Sequence, residues 1–344
     1  MHYNYRSRAP LRLGLAGGGT DVSPYCDLYG GFILNATISL FAYVDLELTN
    51  DKTLTFQAKD MEFSQQYSMD DVIDTEGPLN LLKGVYNRIQ KDYPFDHNGL
   101  KLTTYVQAPP GSGLGSSSTL VVALIGAFVE MLKLPLGEYD IAHYAYEIER
   151  IDLQMAGGRQ DQYAATFGGF NFMEFYSNDK TIVNPLKIKP ENIWELEKNI
   201  VLFYTSQSRE SSKIIEEQAS NVKQNKQSSI EAMHNIKKQS VMMKNALLRG
   251  DMNAIGEIFD FGHEHKKNMA SSITNSTLDE IYASAKKAGA SGGKISGAGG
   301  GGFMIFYCPG TTRFDVIRSL NKFNGKIISF LFTPSGLNYW SMLK

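Results

Sequence analysis

Pro109-Pro110-Gly111-Ser112-Gly113-Leu114-Gly115-Ser116-Ser117-Ser118-Thr119 runs directly into the apolar segment 120–128. Glycines at 111, 113 and 115 let the backbone turn sharply and approach a ligand, so that successive N–H groups converge on an anion. A helix starting here adds the positive end of its dipole at the same point. Ser116, Ser117 and Thr119 bring hydroxyls that donate to phosphate oxygens or stand as neutral oxygen ligands to magnesium. A Gly/Ser turn that merely caps a helix has the same composition, so the rest of the chain has to decide.

The segment 118–133 is apolar on nearly every face and is followed by Pro135, which predicts a buried helix and a rigid mount for the loop. Residues 38–48 alternate, with Ile38, Leu40, Ala42, Val44, Leu46 and Leu48 on one side, as a half-buried strand does. Shorter strands are expected at 11–16, 101–107, 169–175, 200–205, 303–308 and 326–332. After Arg209, lysine, glutamine and glutamate interleave with Ile, Met and Leu as far as Arg249, the pattern of an amphipathic helix. Asp251 and Ser276 are expected to cap two further helices. A change of unit is placed at 180–195, around Asn184, Pro185 and Pro190.

The 344 residues, 42% apolar, suffice for two packed units. Thirty-four Lys and Arg against 36 Asp and Glu leave no broad basic field for nucleic acid or an anionic membrane, so recognition of any anion is local. Cys26 and Cys308 stand far apart, without metal-ligand spacing, and read as reduced thiols. No segment has the apolar length of a membrane span, and the cytoplasm is the expected location.

Three more places carry chemistry. In Gly17-Gly18-Gly19-Thr20-Asp21, after a predicted strand, glycines let a ligand lie on the backbone and Asp21 can accept from sugar hydroxyls, or can simply cap a helix. In Gly157-Gly158-Arg159-Gln160-Asp161-Gln162, preceded by Glu147 and Glu149, a carboxylate sits between amides as a general base or metal ligand would; solvated helix faces carry glutamates too. Gly292-Gly293-Lys294-Ile295-Ser296-Gly297-Ala298-Gly299-Gly300-Gly301-Gly302 holds too many glycines for a routine hairpin, which points to close backbone contact with a ligand or another loop.

Taken in order, these places resemble the GHMP kinase superfamily, named for galactokinase, homoserine kinase, mevalonate kinase and phosphomevalonate kinase. The loop at 109–119 is similar to its Pro-x-x-x-Gly-Leu-Gly-Ser-Ser signature, with Ser118-Thr119 where alanine is often found. Ala9-Pro10-Leu11-Arg12 resembles the opening motif and 294–302 the third. Fuller strings at 13–25, 157–165 and 288–303 resemble the branch acting on D-glycero-D-manno-heptose 7-phosphate, with the kinase half of L-fucokinases next to it.

The resemblance implies a two-domain α+β fold: a ribosomal protein S5 domain 2-like unit over 1–185 and a ferredoxin-like α/β sandwich over 186–344. It implies ATP and Mg2+, a phosphosugar acceptor, and phosphorylation of the anomeric hydroxyl on the way to nucleotide-activated heptose. Pro110, Gly111, Ser112, Gly113, Leu114, Gly115, Ser116 and Ser117 would wrap the triphosphate, with Ser117 and Glu149 on magnesium. Asp161 would take the proton from the attacking hydroxyl beside Arg12. Gly18, Gly19, Thr20 and Asp21, with Gln162, would meet the sugar. Arg159, Lys266 or Lys267 would meet the distal phosphate, a solvated cation being the alternative for each lysine. The oligomeric state is left open, a homodimer being one option. A catalytically silent sensor on the same fold is the rival reading, and the presence of Arg12, Ser117, Glu149 and Asp161 together argues against it. A dinucleotide oxidoreductase is disfavoured, because neither 16–20 nor 111–115 makes a Gly-x-Gly-x-x-Gly turn.

Overall fold

A computed structural model describes residues 3–109, 111–206 and 211–343, so the expectation for Pro110 lies outside the described residues. The first sheet contains β1 (Tyr3–Ala16), β2 (Gly31–Leu48), β3 (Thr53–Ala58), β4 (Phe63–Ser68), β5 (Leu100–Val106), β6 (Phe170–Phe175) and β7 (Thr181–Pro185). The second contains β8 (Ile200–Tyr204), β9 (Gly292–Ile295), β10 (Phe303–Tyr307) and β11 (Lys326–Ile328), in the order β11-β8-β10-β9. A last strand, β12 (Asn338–Leu343), returns to the first sheet and pairs antiparallel with β1, Tyr3 opposite Leu343. The chain therefore crosses between sheets after β7 and crosses back at its end. A second unit written as 186–344 has to give up β12, because the free edge of β1 offers that strand a full ladder.

The helices in chain order are α1 (Tyr25–Tyr29), α2 (Asn80–Asp92), α3 (Ser116–Leu132), α4 (Glu138–Glu147), α5 (Gln160–Phe167), α6 (Pro190–Asn199), α7 (Ser211–Lys223), α8 (Gln227–Arg249), α9 (Ala254–Lys266), α10 (Ser276–Lys287) and α11 (Arg313–Leu320). The single amphipathic helix expected after Arg209 is two, α7 and α8, separated at Asn225, whose φ of 52° no helix continues through. Asn275 rather than Ser276 caps α10, its side chain accepting from the Leu278 N–H at 3.0 Å.

Period-two alternation explains the apolar runs of the second sheet. Ile200 and Leu202 of β8, with Phe303, Ile305 and Tyr307 of β10, join the large core that also holds β1, β2 and α3. Their neighbours Val201, Phe203, Met304 and Phe306 join a separate core with Leu278, Ile281, Val316 and Leu320 from α10 and α11. Both faces are covered, so every side chain of β10 is buried. In β2 the outer part keeps the predicted alternation, Ala42, Val44 and Leu46 buried between more open neighbours. α3 is buried almost all round and packs on β1, β2, β5 and β12, which fixes its N-terminus in space.

Candidate active site

A cavity of about 750 Å³ opens where the N-terminus of α3, the start of α5, the loop after β1, α7 and the end of α9 meet. Gly111, Gly113, Gly115, Ser116, Ser117, Arg12, Asp21, Glu149, Asp161 and Lys266 are among its lining residues. Helix α3 begins on Gly115 with no side-chain cap, so its first-turn N–H groups point into the cavity without intrahelical partners. A helix N-terminus left in that state next to an open cavity is an anion site. Gly115 has φ +77°, and a Cβ there would stand 3.1 Å from Asp161 Cγ, so backbone strain and close approach both require glycine. Leu114 and Ser112 are buried and work through their carbonyls, which accept from Arg12 N–H at 3.1 Å and Phe303 N–H at 3.0 Å.

Strand β1 carries Arg12 and the first turn of α5 carries Asp161. Arg12 Nε donates to Asp161 Oδ1 at 2.6 Å, Nη2 forms an ion pair with the same oxygen at 2.6 Å, and Nη1 donates to Gly113 O at 2.6 Å. Asp161 Oδ2 makes no hydrogen bond among the described residues and is the acceptor left for a ligand proton. Arg12 is buried, whereas Asp161 keeps about a quarter of its side chain open, 23%, toward the cavity. One guanidinium thus aligns the carboxylate and the glycine loop together.

Glu149 lies in a one-turn π-helix, Ile148–Asp152, that follows α4. Such turns are frequent at functional sites because the extra residue re-aims its neighbours. Its carboxylate is 1% exposed; Oε1 accepts from Ser118 Oγ at 2.9 Å and Oε2 from Gln162 Nε2. Burial raises its pKa above the ordinary value, opposed by Arg150 at 3.8 Å. Ser117 lines the cavity on the adjacent position of α3. Gln162, expected on the sugar, is fully buried and braces Glu149 and Ser118 instead, because one residue along a helix turns the side chain by about 100°. Gln160 takes the cavity position, its Nε2 donating to Asp21 Oδ1 at 3.2 Å.

Asp21 combines the two readings that its sequence left open. Its Oδ2 accepts from the backbone N–H groups of Arg159 at 2.9 Å and Gln160 at 3.1 Å, capping α5 from a distant segment, and it also lines the cavity. A Cβ at Gly158 would stand 1.9 Å from Asp21 Oδ2, so the glycine is what lets the carboxylate reach the helix start. Burial raises the pKa of Asp21, and the nearby Asp161 adds to it. Gly19 lines the cavity and Gly18 lies against Lys266, where a Cβ would be 3.6 Å from Nζ. Thr20 does not reach it: its hydroxyl donates to Gly17 O at 2.9 Å and accepts from Phe32 N–H at 3.1 Å, pinning the loop to β2.

The three cations expected near a distal phosphate separate. Arg159 is drawn away by Asp27 and Asp179, each at 3.1 Å, and by Tyr176 O at 3.0 Å. Lys267 turns outward to Glu264 at 3.0 Å. Lys266 is buried at the cavity wall with its Nζ donating to Gly297 O. Burial lowers its pKa to about 8. Among the described residues, no group of three or more His, Cys, Asp or Glu is placed to hold a metal by itself, and no helix is long and apolar enough to cross a membrane.

The models of the GHMP kinase N-terminal and C-terminal domains match residues 80–169 and 243–326. D-glycero-alpha-D-manno-heptose 7-phosphate kinase of Campylobacter jejuni is 47% identical over 97% of this chain and 98% of its own. A crystal structure of a D-glycero-D-manno-heptose 1-phosphate kinase from Bacteroides thetaiotaomicron matches with TM-score 0.82 and 44% identity, covering 99% of this chain and 100% of that one. Methanococcus jannaschii mevalonate kinase, at 20% identity and TM-score 0.75 over 95% and 98% of the two chains, shares the fold. The loop on the N-terminus of α3, the Arg12–Asp161 pair beside it and the full-length likeness agree: the chain belongs to the GHMP kinase family.

Proposed function

We propose that this kinase transfers the γ-phosphoryl group of ATP to the anomeric hydroxyl of D-glycero-D-manno-heptose 7-phosphate, giving the 1,7-bisphosphate for nucleotide-activated heptose synthesis. The observation that carries the chemistry is that Arg12 holds Oδ1 of Asp161 at the edge of the glycine loop while Oδ2 makes no hydrogen bond among the described residues. The triphosphate lies on 111–117, where the uncapped start of α3 and the backbone N–H groups meet its charge. The acceptor hydroxyl faces Asp161, which takes its proton as the oxygen attacks the γ-phosphorus, and Arg12 holds the carboxylate in line. Gly19, Asp21 and Gln160 form the sugar side of the cavity.

The donor set suits magnesium: the buried carboxylate of Glu149 and the hydroxyl of Ser117 are hard oxygen ligands on the wall of the cavity and would hold the ion there. Bound there, the ion would neutralise charge on the β- and γ-phosphates. Ser118 and Gln162 keep the Glu149 carboxylate oriented for that role.

The names of the two similar heptose kinases differ in which phosphate they mention, so the test must read position as well as turnover. Purified protein with MgATP and heptose 7-phosphate should release ADP and give a phosphorus resonance coupled to the anomeric proton. Turnover of heptose 1-phosphate or fucose in preference to heptose 7-phosphate would overturn the substrate, and absence of ADP release with any sugar would overturn catalysis.

A further inference from the structure

Among the described residues, the arginines Arg12, Arg150 and Arg159 around the cleft have their charge matched or their donors occupied. Arg12 holds Asp161, Arg159 holds Asp27 and Asp179, and Arg150 lies 3.8 Å from Glu149 while donating to Gly158 O at 3.3 and 3.2 Å and Met155 O at 3.4 Å. Two lysines stand apart from this. Lys266, at the end of α9, and Lys294, on β9, are each 5% exposed. The only hydrogen bonds of their ammonium groups among the described residues go to main-chain carbonyls, Lys266 to Gly297 O and Lys294 to Gly14 O at 2.5 Å. Neither forms an ion pair with a carboxylate within 4 Å there.

Burial and the Arg12 charge disfavour the ammonium form of both lysines, and Lys266 adds to the effect on Lys294, so two buried cations and a guanidinium share one wall of the cleft. Among the described residues, the charged groups facing Lys266 are Arg12 from β1, Lys294 from β9 and, attractive to it, Asp21 from the loop after β1. The carboxylate of Asp21 already holds three N–H donors at the start of α5. Lys266 lines the cavity, and Lys294 lies immediately behind it under Gly14, where a Cβ would stand 4.0 Å from its Nζ and 3.9 Å from Gln160 Oε1.

We propose that Lys266, with Lys294 behind it, is a phosphate-binding site of the cleft separate from the glycine loop, in which a phosphate dianion supplies the ion pair that neither lysine makes among the described residues. Lys266 contacts the phosphate and Lys294 is a positioning residue that tethers β9 to β1 and adds positive potential from behind. Resting on the kinase reading above, the dianion comes from one of two sources: the phosphate that the acceptor sugar already carries, or the γ-phosphoryl in transfer.

The experiment compares wild type with Lys266→Met, Lys294→Met and, as a control whose ammonium group turns outward to Glu264, Lys267→Met. Inorganic phosphate is titrated in the presence of saturating ADP, with the melting temperature as readout, so the binding arm does not depend on which sugar is the substrate. Wild type and Lys267→Met should be stabilised by phosphate, and Lys266→Met should lose that response. Without phosphate, Lys266→Met should melt at or above wild type, because an unmatched buried charge has been replaced by an apolar chain of similar length. A strut role would instead lower the melting temperature.

Kinetics identify the source. A rise of about 10- to 100-fold in KM for heptose 7-phosphate, with unphosphorylated heptose unaffected, assigns the acceptor's phosphate. A comparable fall in kcat with both acceptors assigns the γ-phosphoryl. Lys294→Met should shift the same parameter by a smaller factor. An unchanged phosphate response in Lys266→Met, together with unchanged kinetics, overturns the site. If wild type turns over no heptose phosphate but Lys266→Met still loses the phosphate response, the substrate reading fails and the site stands.

Discussion

The two halves of the chain handle charge at the cleft in opposite ways. The first half sets Arg12 against Asp161 at 2.6 Å, a charge-assisted pair with geometry fixed before any ligand arrives. The second half brings Lys266 and Lys294 to the same cleft, where among the described residues their ammonium groups donate only to carbonyl oxygens. A matched pair presents a directed acceptor, whereas unmatched lysines present a field. Proton abstraction needs the first, and retention of a mobile dianion suits the second.

The strongest way to break this contrast is Asp161→Asn. Turnover should fall by about 10²- to 10⁴-fold while calorimetry shows ADP binding nearly unchanged. Near wild-type turnover would remove the directed acceptor from the scheme. Gly115→Ala probes the spacing between the pair and the loop: the positive φ alone should destabilise by about 1–3 kcal/mol, and the methyl should press on Asp161. Turnover should therefore drop more than the melting temperature explains; a loss of stability with kinetics intact would show that the contact tolerates displacement.

Glu149→Gln should raise the magnesium concentration needed for half-maximal rate about tenfold or more, since a carboxylate ligand becomes an amide. A superimposable titration curve would exclude Glu149 from the metal site. The lysines should show themselves through pH. With the Lys266 pKa lowered from 10.5 to about 8, the unfolded chain binds a proton that the folded chain lacks between those values. Its penalty on folding is fully present below pH 8 and disappears as pH rises through that window, and Lys266→Met should remove this dependence from urea titrations. The smallest effect belongs to Lys267→Met: its exposed pair with Glu264 contributes about 0–1 kcal/mol, and the rate should not change.

Much of the first half was legible because its signals are local. The glycine spacing at 111–115, the apolar run of α3 and the alternation in β2 each state a backbone geometry within a few residues. Arg12, Ser117, Glu149 and Asp161 do converge on one cavity. One placement differs by a rotation: Gln162 and Gln160 lie two steps apart on a helix, and which of them faces the cavity depends on packing partners far along the chain, such as Ser118. The choice left open between Lys266 and Lys267 turns on the same kind of rotation. Ser118 looked like a minor departure from a motif and proves to hold Glu149. Lys294 stood inside a quoted motif without a role, because only its bond to Gly14 O on β1 reveals an ammonium group that is buried and makes no ion pair among the described residues. The return of β12 carried no local signal, since an edge strand of mixed polarity resembles a loop.

That returning strand has a mechanical consequence. Because Tyr3 is registered opposite Leu343, a pulling force applied at the two ends of the ladder falls on one end of the β1–β12 zipper and loads its hydrogen bonds one after another. β12 should peel away under low tension, well before the β1–β2 pairing yields. What peeling leaves behind is the unprotected edge of β1, the strand that carries Arg12, open to pairing with the same edge of another molecule.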